Sequence, residues 1–338
     1  MSTVPIAVGG ADDREDFRHP ESHSVGRQKI LLADCIEWLG EAPRDSITAV
    51  VTDPPYGLVE YGAAQQEKLR ARKGGVWRIP PSIGGYERSP LPRFTTLRAS
   101  DRSEIARFYE QWGRALLPVV VPGAHVLIAG NPLVSPLVAY AMEQAGFERR
   151  GEIVRLVRTF RGGDRPKGAH DDFPDVSTSP RSCWEPWGLY RRPISEQTVA
   201  ANLRRWGTGG LRRVSEATPF LDVIPSGLTP ARERVIAPHP SVKPQVFLRQ
   251  LVTAVLPVGT TDTPVLDPFA GSATTLAACE ALGQPGIGIE KDPQYFQLAV
   301  AALPKLAALY PGPSGSGGSG GAVSEGNGGG DPVALPRT

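Results

Sequence analysis

The stretch Val50-Val51-Thr52-Asp53-Pro54-Pro55-Tyr56-Gly57 decides how this chain is interpreted. It continues an apolar run, residues 46–51, whose β-branched residues predict a short buried strand. Two prolines restrict the backbone and remove two hydrogen-bond donors, so the strand must end in a stiff loop. Open α/β sheets bind ligands at the carboxyl ends of their strands, and the loop is therefore a candidate site.

The loop is suited to hold the exocyclic amino group of a nucleobase. Such a nitrogen is a poor nucleophile, because its lone pair is delocalised into the ring. Asp53 and the carbonyl of Pro54 can accept its two hydrogens, which stabilises the positive charge that develops as it attacks a methyl donor. Tyr56 offers a face on which a flipped base can stack. An ordinary turn after a strand is the alternative, since Pro and Asp are common there.

A second strand, turn and helix follows much later in the chain. Residues 264–275 have the sequence Pro-Val-Leu-Asp-Pro-Phe-Ala-Gly-Ser-Ala-Thr-Thr, and a helix is predicted over 276–282. Small residues let the backbone approach a ligand closely, and the start of the helix offers free N–H groups. Residues 286–290 predict another strand, which ends in Glu290. Its carboxylate can accept two hydrogen bonds from a ribose diol.

These two stretches carry a family resemblance. Asp53-Pro54-Pro55-Tyr56 resembles the catalytic motif of amino DNA methyltransferases, and residues 267–275 with 288–290 resemble their S-adenosylmethionine site. The catalytic loop comes first, which is the permuted order of the β-class, and the resemblance covers about residues 29–303. It departs at Ala273, where glycine is usual and where alanine narrows the allowed backbone.

The resemblance implies a site-specific enzyme that transfers a methyl group from S-adenosylmethionine to adenine N6 in duplex DNA after base flipping. Cytosine N4 is the alternative, because Asp at the first loop position goes mostly, but not always, with adenine. Catalytic roles are implied for Asp53, Pro54 and Tyr56. The residues implied to bind the cofactor are Asp34, Lys243, Asp267, Phe269, Gly271, Ser272, Thr274 and Glu290.

Two of these assignments have a second interpretation. Asp34 ends a predicted strand, residues 29–34, and is also suited to cap the helix that follows. Lys243 lies in residues 239–244, His-Pro-Ser-Val-Lys-Pro, which resemble the segment before the helix beside the cofactor's methionine end. For Lys243 we expect a contact with a phosphate or carboxylate, or a structural contact, and not the role of a base.

Strands alternate with helices along the chain, which predicts an α/β fold with a doubly wound, mostly parallel sheet. The resemblance implies the seven-stranded methyltransferase sheet with an inserted target-recognition region. The expected divisions are a disordered arm (1–26), a catalytic half (27–157), the target-recognition region (158–234), a cofactor-binding half (235–310) and a disordered glycine-rich tail (311–338).

The recognition region is predicted from its charge. Between Arg149 and Arg213 there are fourteen Lys or Arg against seven Asp or Glu. Basic residues with interleaved aromatic ones are typical of a nucleic-acid-binding surface, and a small aromatic core is the alternative. The aromatic residues concerned are Trp184, Trp187, Tyr190 and Trp206. Residues 58–104 are also basic and irregular, and predict either a mobile DNA-facing segment or a solvated insertion.

Composition narrows the class of protein further. The 338 residues carry a formal charge of +2, which excludes nothing by itself. The three cysteines form no CxxC pair, which argues against a zinc knuckle or a disulfide framework, and no metal is expected. No apolar run reaches transmembrane length and no secretory segment is evident, so we expect a soluble cytoplasmic protein without membrane contact.

The expected partner is double-stranded DNA, with a cognate restriction endonuclease and a second copy of the chain as further candidates. Two rival functions are weaker. Protein-glutamine and RNA methyltransferases usually carry Asn at the position of Asp53 and have the unpermuted order. A non-catalytic DNA-binding subunit is favoured only by Ala273.

Overall fold

The computed structural model describes residues 20–55, 82–83, 86–87, 99–157, 163, 165–166, 168–239, 241–259 and 262–310. The strands are β1 Ser22–Val25, β2 Gln28–Leu32, β3 Ile47–Thr52, β4 Ser82–Ile83, β5 Tyr86–Glu87, β6 Val120–Ala129, β7 Glu148–Leu156, β8 Trp184–Arg191, β9 Val223–Pro225, β10 Val265–Asp267 and β11 Gly286–Glu290. The helices are α1 Cys35–Glu41, α2 Ala99–Leu116, α3 Ser135–Gln144, α4 Val199–Trp206, α5 Ala231–Ile236, α6 Gln245–Val255, α7 Thr274–Ala281 and α8 Pro293–Ala307.

The main sheet has nine strands in the order β1-β2-β11-β10-β3-β6-β8-β7-β9. Strands β2, β11, β10, β3 and β6 run parallel, and β8 runs antiparallel to both of its neighbours. The predicted mostly parallel α/β sheet is confirmed. It has nine strands and not seven, because β1 and β9 extend its two edges.

Helices cover both faces of the sheet. Along β3, Val50 packs into the cluster that includes residues of α1, α2 and α3. Its neighbours Ala49 and Val51 pack on the opposite face, with residues of α6 and α7. Successive side chains of a strand point to opposite faces, so a strand covered on both sides carries mostly apolar residues. All six residues of β3 are accordingly buried.

Several predicted boundaries differ from the structure, and residues 99–104 of the segment 58–104, predicted to be irregular, begin α2. Residues 22–25, assigned to the loose arm 1–26, form β1 and pair with β2. Residues 184–191, assigned to the recognition region 158–234, form β8 inside the main sheet. Residues 183–193 do resemble a family strand, with Glu-Pro before an apolar run, but the boundary drawn from the basic composition placed them in the recognition region. The arm up to residue 19, most of 58–104 and the tail 311–338 lie outside the described residues.

Within the described residues, no helix combines the length and the apolar character needed to cross a bilayer.

A buried carboxylate joins α5, α6 and the end of the described chain. Glu233 is fully buried and accepts hydrogen bonds from the Gln245 backbone N–H (2.9 Å) and the Tyr310 hydroxyl (2.8 Å). We expect Glu233→Ala to lower the free energy of unfolding by about 3 kcal/mol, because two donors lose a charged acceptor. Chemical denaturation measures this. The half-buried Glu110, paired with Arg114 on α2, is the control, and Glu110→Ala should cost less than about 0.5 kcal/mol. Equal losses would contradict the role of Glu233.

Candidate active site

The two loops singled out in the sequence meet at one edge of the sheet. Strands β3 and β10 are parallel neighbours, so their carboxyl ends lie side by side. The hydroxyl of Thr52, the last residue of β3, donates to Asp267 Oδ1 at 2.7 Å across a separation of 215 residues. Asp267 also accepts from the backbone N–H of Phe269 at 3.3 Å. This carboxylate therefore holds the end of β3 against the turn after β10.

A cavity of about 360 Å³ opens at this edge. Its walls come from the ends of β2, β3, β10 and β11, from α2 and from the residues before α6. The predicted site residues that line it are Asp34, Asp53, Pro54, Phe269, Gly271 and Glu290. Tyr56 lies outside the described residues.

The other predicted site residues line a second, much smaller cavity next to the first. Lys243, Asp267, Ser272 and Thr274 surround it. Its volume of about 10 Å³ matches a single water molecule. Asp53 and Phe269 lie between the two cavities and line both. The predicted set is thus brought together, but only part of it faces the larger space.

Glu290 ties the end of β11 to the turn after β10. Its Oε2 accepts from the backbone N–H of Gly271 and its Oε1 from that of Asp292, both at 2.8 Å. Burial raises the pKa of Glu290, although these hydrogen bonds oppose the shift. Gly271 has φ +51°, and a Cβ added there would lie 3.1 Å from Cε1 of His239. The turn is therefore confined between a carboxylate and a ring.

One wall of the cavity is aromatic. The ring of Phe269 lies 6.2 Å from that of Phe108 and 5.9 Å from that of Trp112, centroid to centroid. Ile105, Phe108 and Tyr109 of α2 line the cavity as well. In the sequence, Ile105, Phe108 and Trp112 recur at helical spacing, and this pattern does not distinguish a helix face packed against the core from one that lines a cavity.

Asp34 caps a helix and lines the cavity at the same time. Its Oδ1 accepts from the backbone N–H of Ile36, the second residue of α1, at 2.9 Å. Its Oδ2 accepts from Lys291 Nζ at 2.8 Å. Burial alone would raise the pKa of Asp34, but the bond from Lys291 and those from the helix backbone lower it overall. Its predicted capping role is confirmed, and its side chain still lines the cavity.

Lys243 contacts a carboxylate, one of the expected alternatives. Its Nζ donates to Asp53 Oδ2 at 2.6 Å and lies 3.5 Å from Glu185 Oε2. Glu185 was not predicted as a site residue. The only sequence signal was its position before Pro186 at the start of a strand-like segment.

Two further features concern charge and strain. Burial raises the pKa of Asp267 to about 6, and the negative charge of Asp53 adds to the shift, against the hydrogen bonds from Thr52, Thr275 and Phe269. Ala273, at the start of α7, has φ +59°. This left-handed conformation costs a non-glycine residue roughly 1–2 kcal/mol. The expected constraint at Ala273 is therefore present.

His239 is neutral at pH 7. Burial lowers its pKa to about 4, and the positive charge of Lys243 contributes. The backbone N–H of Ser241 donates to its Nδ1 at 3.2 Å, which leaves the ring hydrogen on Nε2. The ring lines the large cavity, where it can act as a donor.

Several residues of the predicted nucleic-acid-binding surface are buried, and only some of its cations are exposed. Trp187 and Tyr190 are buried on β8 and pack in the cores of the main sheet, not in a separate small aromatic core. Arg155 and Arg191 are also buried, each in an ion pair. The cations that remain exposed on and after α4 are Arg204, Arg205, Arg212 and Arg213.

Known proteins are similar in sequence to this chain. A sequence profile of the DNA methylase family matches residues 195–301. The Type II methyltransferase M2.LlaDCHI from Lactococcus lactis subsp. cremoris is 30% identical over 279 residues, which cover 82% of this chain and 90% of that protein. The Type II methyltransferase M2.DpnII from Streptococcus pneumoniae is 22% identical over 275 residues, or 81% of this chain and 89% of that protein.

Solved structures share the fold. The PvuII DNA methyltransferase, which is cytosine-N4-specific, matches with a TM-score of 0.53 and 13% identity, over 82% of this chain and 89% of that one. TTHA0409 from Thermus thermophilus matches with a TM-score of 0.51 and 20% identity, over 85% and 97%. The 30% identity to M2.LlaDCHI covers most of both chains. This chain therefore belongs to the amino DNA methyltransferases of the N6-adenine/N4-cytosine family, which take their methyl group from S-adenosylmethionine.

Proposed function

We propose that this enzyme methylates the N6 amino group of adenine in duplex DNA after turning the base out of the helix. One observation carries the proposed transfer to an amino group: Asp53 and Pro54 line the same cavity as Phe269, Gly271 and Glu290. An amino group held against Asp53 would therefore face the group that occupies the cavity.

The chemistry of the cavity fits S-adenosylmethionine. Its volume of about 360 Å³ lies within the range of roughly 300–1,000 Å³ typical of small-molecule sites. We assign the ribose diol to Glu290, the adenine to Asp34 and Phe269, and the close backbone approach to Gly271. Asp267, Ser272 and Thr274 line the adjoining small cavity together with Lys243, and we propose that these three support the turn from behind.

The protein's part in the reaction is positioning and charge stabilisation. When bound, S-adenosylmethionine supplies an electrophilic methyl group on a positively charged sulfur. Asp53 and the Pro54 carbonyl accept the two amino hydrogens, and the nitrogen gains tetrahedral character. The amino nitrogen forms the new N–C bond as the S–C bond breaks, the electron pair stays on sulfur, and one proton is released from the nitrogen to solvent. We propose that Tyr56 stacks on the flipped base.

The target atom is tested by mass spectrometry of the nucleosides from duplex DNA treated with the enzyme and S-adenosylmethionine. The proposal expects N6-methyladenine. It rests on the resemblance of Asp53 to the first loop residue of adenine-specific relatives. Detection of N4-methylcytosine would instead show that cytosine is the target. Unmodified DNA in every sequence context would contradict a DNA methyltransferase.

Gly271 offers a test of cofactor binding. We expect Gly271→Ala to weaken the affinity for S-adenosylmethionine about tenfold or more, because the new Cβ meets the His239 ring and shifts the turn. Titration calorimetry measures the affinity. Gly283→Ala is the control, because Gly283 also has positive φ but open space around its Cβ. Both changes should cost about 1 kcal/mol of stability. Unchanged affinity of Gly271→Ala would refute the assignment of this turn.

The remaining proposals concern partners. The exposed cations on and after α4, together with other parts of 158–234 outside β8 and β9, are proposed to contact DNA phosphates. The Type II names of the relatives support the existence of a cognate restriction endonuclease. This is tested by asking whether DNA methylated by the enzyme resists cleavage by a candidate endonuclease. A homodimer is tested by light scattering.

A further inference from the structure

Lys243 connects the catalytic loop to a second carboxylate. Its ammonium group lies 2.6 Å from Asp53 Oδ2 and 3.5 Å from Glu185 Oε2. Lys243 is only 6% exposed, and a buried ammonium group is retained only when charged or polar partners surround it. The position of Lys243 therefore depends on both carboxylates.

Glu185 is held firmly on the sheet. Its Oε1 accepts from Trp187 Nε1 at 2.8 Å, and its Oε2 lies 3.4 Å from Arg155 Nη1. Arg155 and Glu185 are directly paired across β7 and β8. Arg155 is fixed in turn by Ser226 Oγ at 3.1 Å and by the carbonyl of Gly227 at 2.9 Å. Because β8 runs antiparallel to β6, Glu185 at its start lies at the same sheet edge as Asp53.

The cluster contains two anions and two cations: Asp53, Glu185, Lys243 and Arg155. Burial alone would raise the pKa of Glu185, but the charges of Lys243 and Arg155 and the bond from Trp187 lower it overall. Glu185 is therefore ionised at neutral pH. The charges of these four groups balance one another, and Asp267 is a further carboxylate beside Asp53.

We infer that Glu185 and Lys243 are positioning residues for methyl transfer: Glu185 anchors Lys243, and Lys243 orients the Asp53 carboxylate. The inference rests on the proposed role of Asp53 as acceptor for the amino group. It explains why Lys243 is directed at the catalytic loop and is not among the residues that line the larger cavity. A carboxylate whose orientation is fixed beforehand loses no rotational freedom when the base arrives.

Steady-state kinetics of the full-length enzyme on duplex DNA test the inference. Glu185→Gln keeps the shape of the side chain but removes the charge that anchors Lys243. We expect its kcat to fall about 10- to 100-fold, as small misplacements near the reacting atoms do. The Kd for S-adenosylmethionine, measured by calorimetry, should stay within about twofold, because the change affects the transition state and not cofactor binding. Wild-type kcat in Glu185→Gln would overturn the inference.

The same ladder supplies a matched control. Glu148 and Arg191 are paired at the other end of β7 and β8, with Oε2 and Nη2 2.6 Å apart. Glu148→Gln removes the charge of a comparable ion pair, and its kcat should stay within about twofold of wild type. An equal loss of kcat in both variants would show that any broken pair on this ladder suffices, and the inference would fail.

Two variants of Lys243 separate positioning from folding. Lys243→Met should lose kcat, Lys243→Arg should recover part of it because the cation is retained, and Glu185→Gln should add less than about threefold in the Lys243→Met background. Equal activity of the Met and Arg variants, or fully multiplicative losses, would overturn the inference. The comparison of Lys243→Met with Lys243→Arg tests the inference even if Glu185→Gln does not fold. If the wild-type enzyme transferred no methyl group to any DNA, the proposed function itself would be refuted.

Discussion

Replacing Asp53 by alanine is expected to lower kcat about a thousandfold while the enzyme still binds S-adenosylmethionine with an affinity within about threefold of wild type. The variant removes the acceptor proposed to hold the amino group. It leaves Phe269, Gly271 and Glu290 unchanged, which form the part of the cavity assigned to the cofactor. Lys243 keeps Glu185 as a partner, so the ion-pair cluster is reduced but not abolished. Single-turnover transfer of a labelled methyl group measures the loss.

A second aspartate at the other end of β3 provides the control for Asp53. Asp45 also forms an ion pair, with Arg192, but it lies just before the strand begins. Asp45→Asn should reduce stability slightly and leave kcat within about twofold. An active Asp53→Ala enzyme would contradict the assignment of the catalytic loop.

Removing the carboxylate of Glu290 is expected to have the second large effect. Glu290→Ala should raise the Kd for S-adenosylmethionine about a hundredfold or more, because two hydrogen bonds to a charged acceptor are lost. The turn at Gly271 also loses its contact with the end of β11. Calorimetric titration of the folded variant measures the affinity.

Asp292 is the matched control for Glu290. It lies two residues further on and caps α8 through the backbone N–H groups of Gln294 (2.7 Å) and Tyr295 (3.2 Å). Asp292→Ala should cost about 1 kcal/mol of stability, as lost caps do, with little change in cofactor affinity. If Asp292→Ala weakened binding as much as Glu290→Ala, the effect would belong to the start of α8 and not to a direct contact.

The parts of the site that the sequence predicted are those that local chemistry determines. A β-branched run followed closely by two prolines predicts a strand that ends there, and this places Asp53 at the carboxyl end of the strand. The turn at 267–272 is equally local. Their meeting could be predicted because parallel strands place their carboxyl ends on one edge. The bond between Thr52 and Asp267 is the physical form of that meeting.

The contacts that the sequence did not reveal join side chains across long separations. Lys243 and Asp53 are 190 residues apart. Neither the sequence around each residue nor its charge identifies the other as its partner. Arg155 and Arg191 counted toward the basic region, although both are buried in internal ion pairs. Net charge does not distinguish an internal cation from a surface one. The boundary near β8 was misplaced for the same reason, because the basic composition of 158–234 was given more weight than the strand-like segment 183–193.

The structure of the complex with S-adenosylhomocysteine, determined by crystallography, tests the central claim most directly. The claim is that the loop of Asp53 and Pro54 and the turn of Phe269 and Gly271 serve a single reaction in one cavity. The account predicts the ribose on Glu290 and the sulfur directed towards Asp53. A ligand bound elsewhere, or one whose sulfur faces away from Asp53, would contradict it.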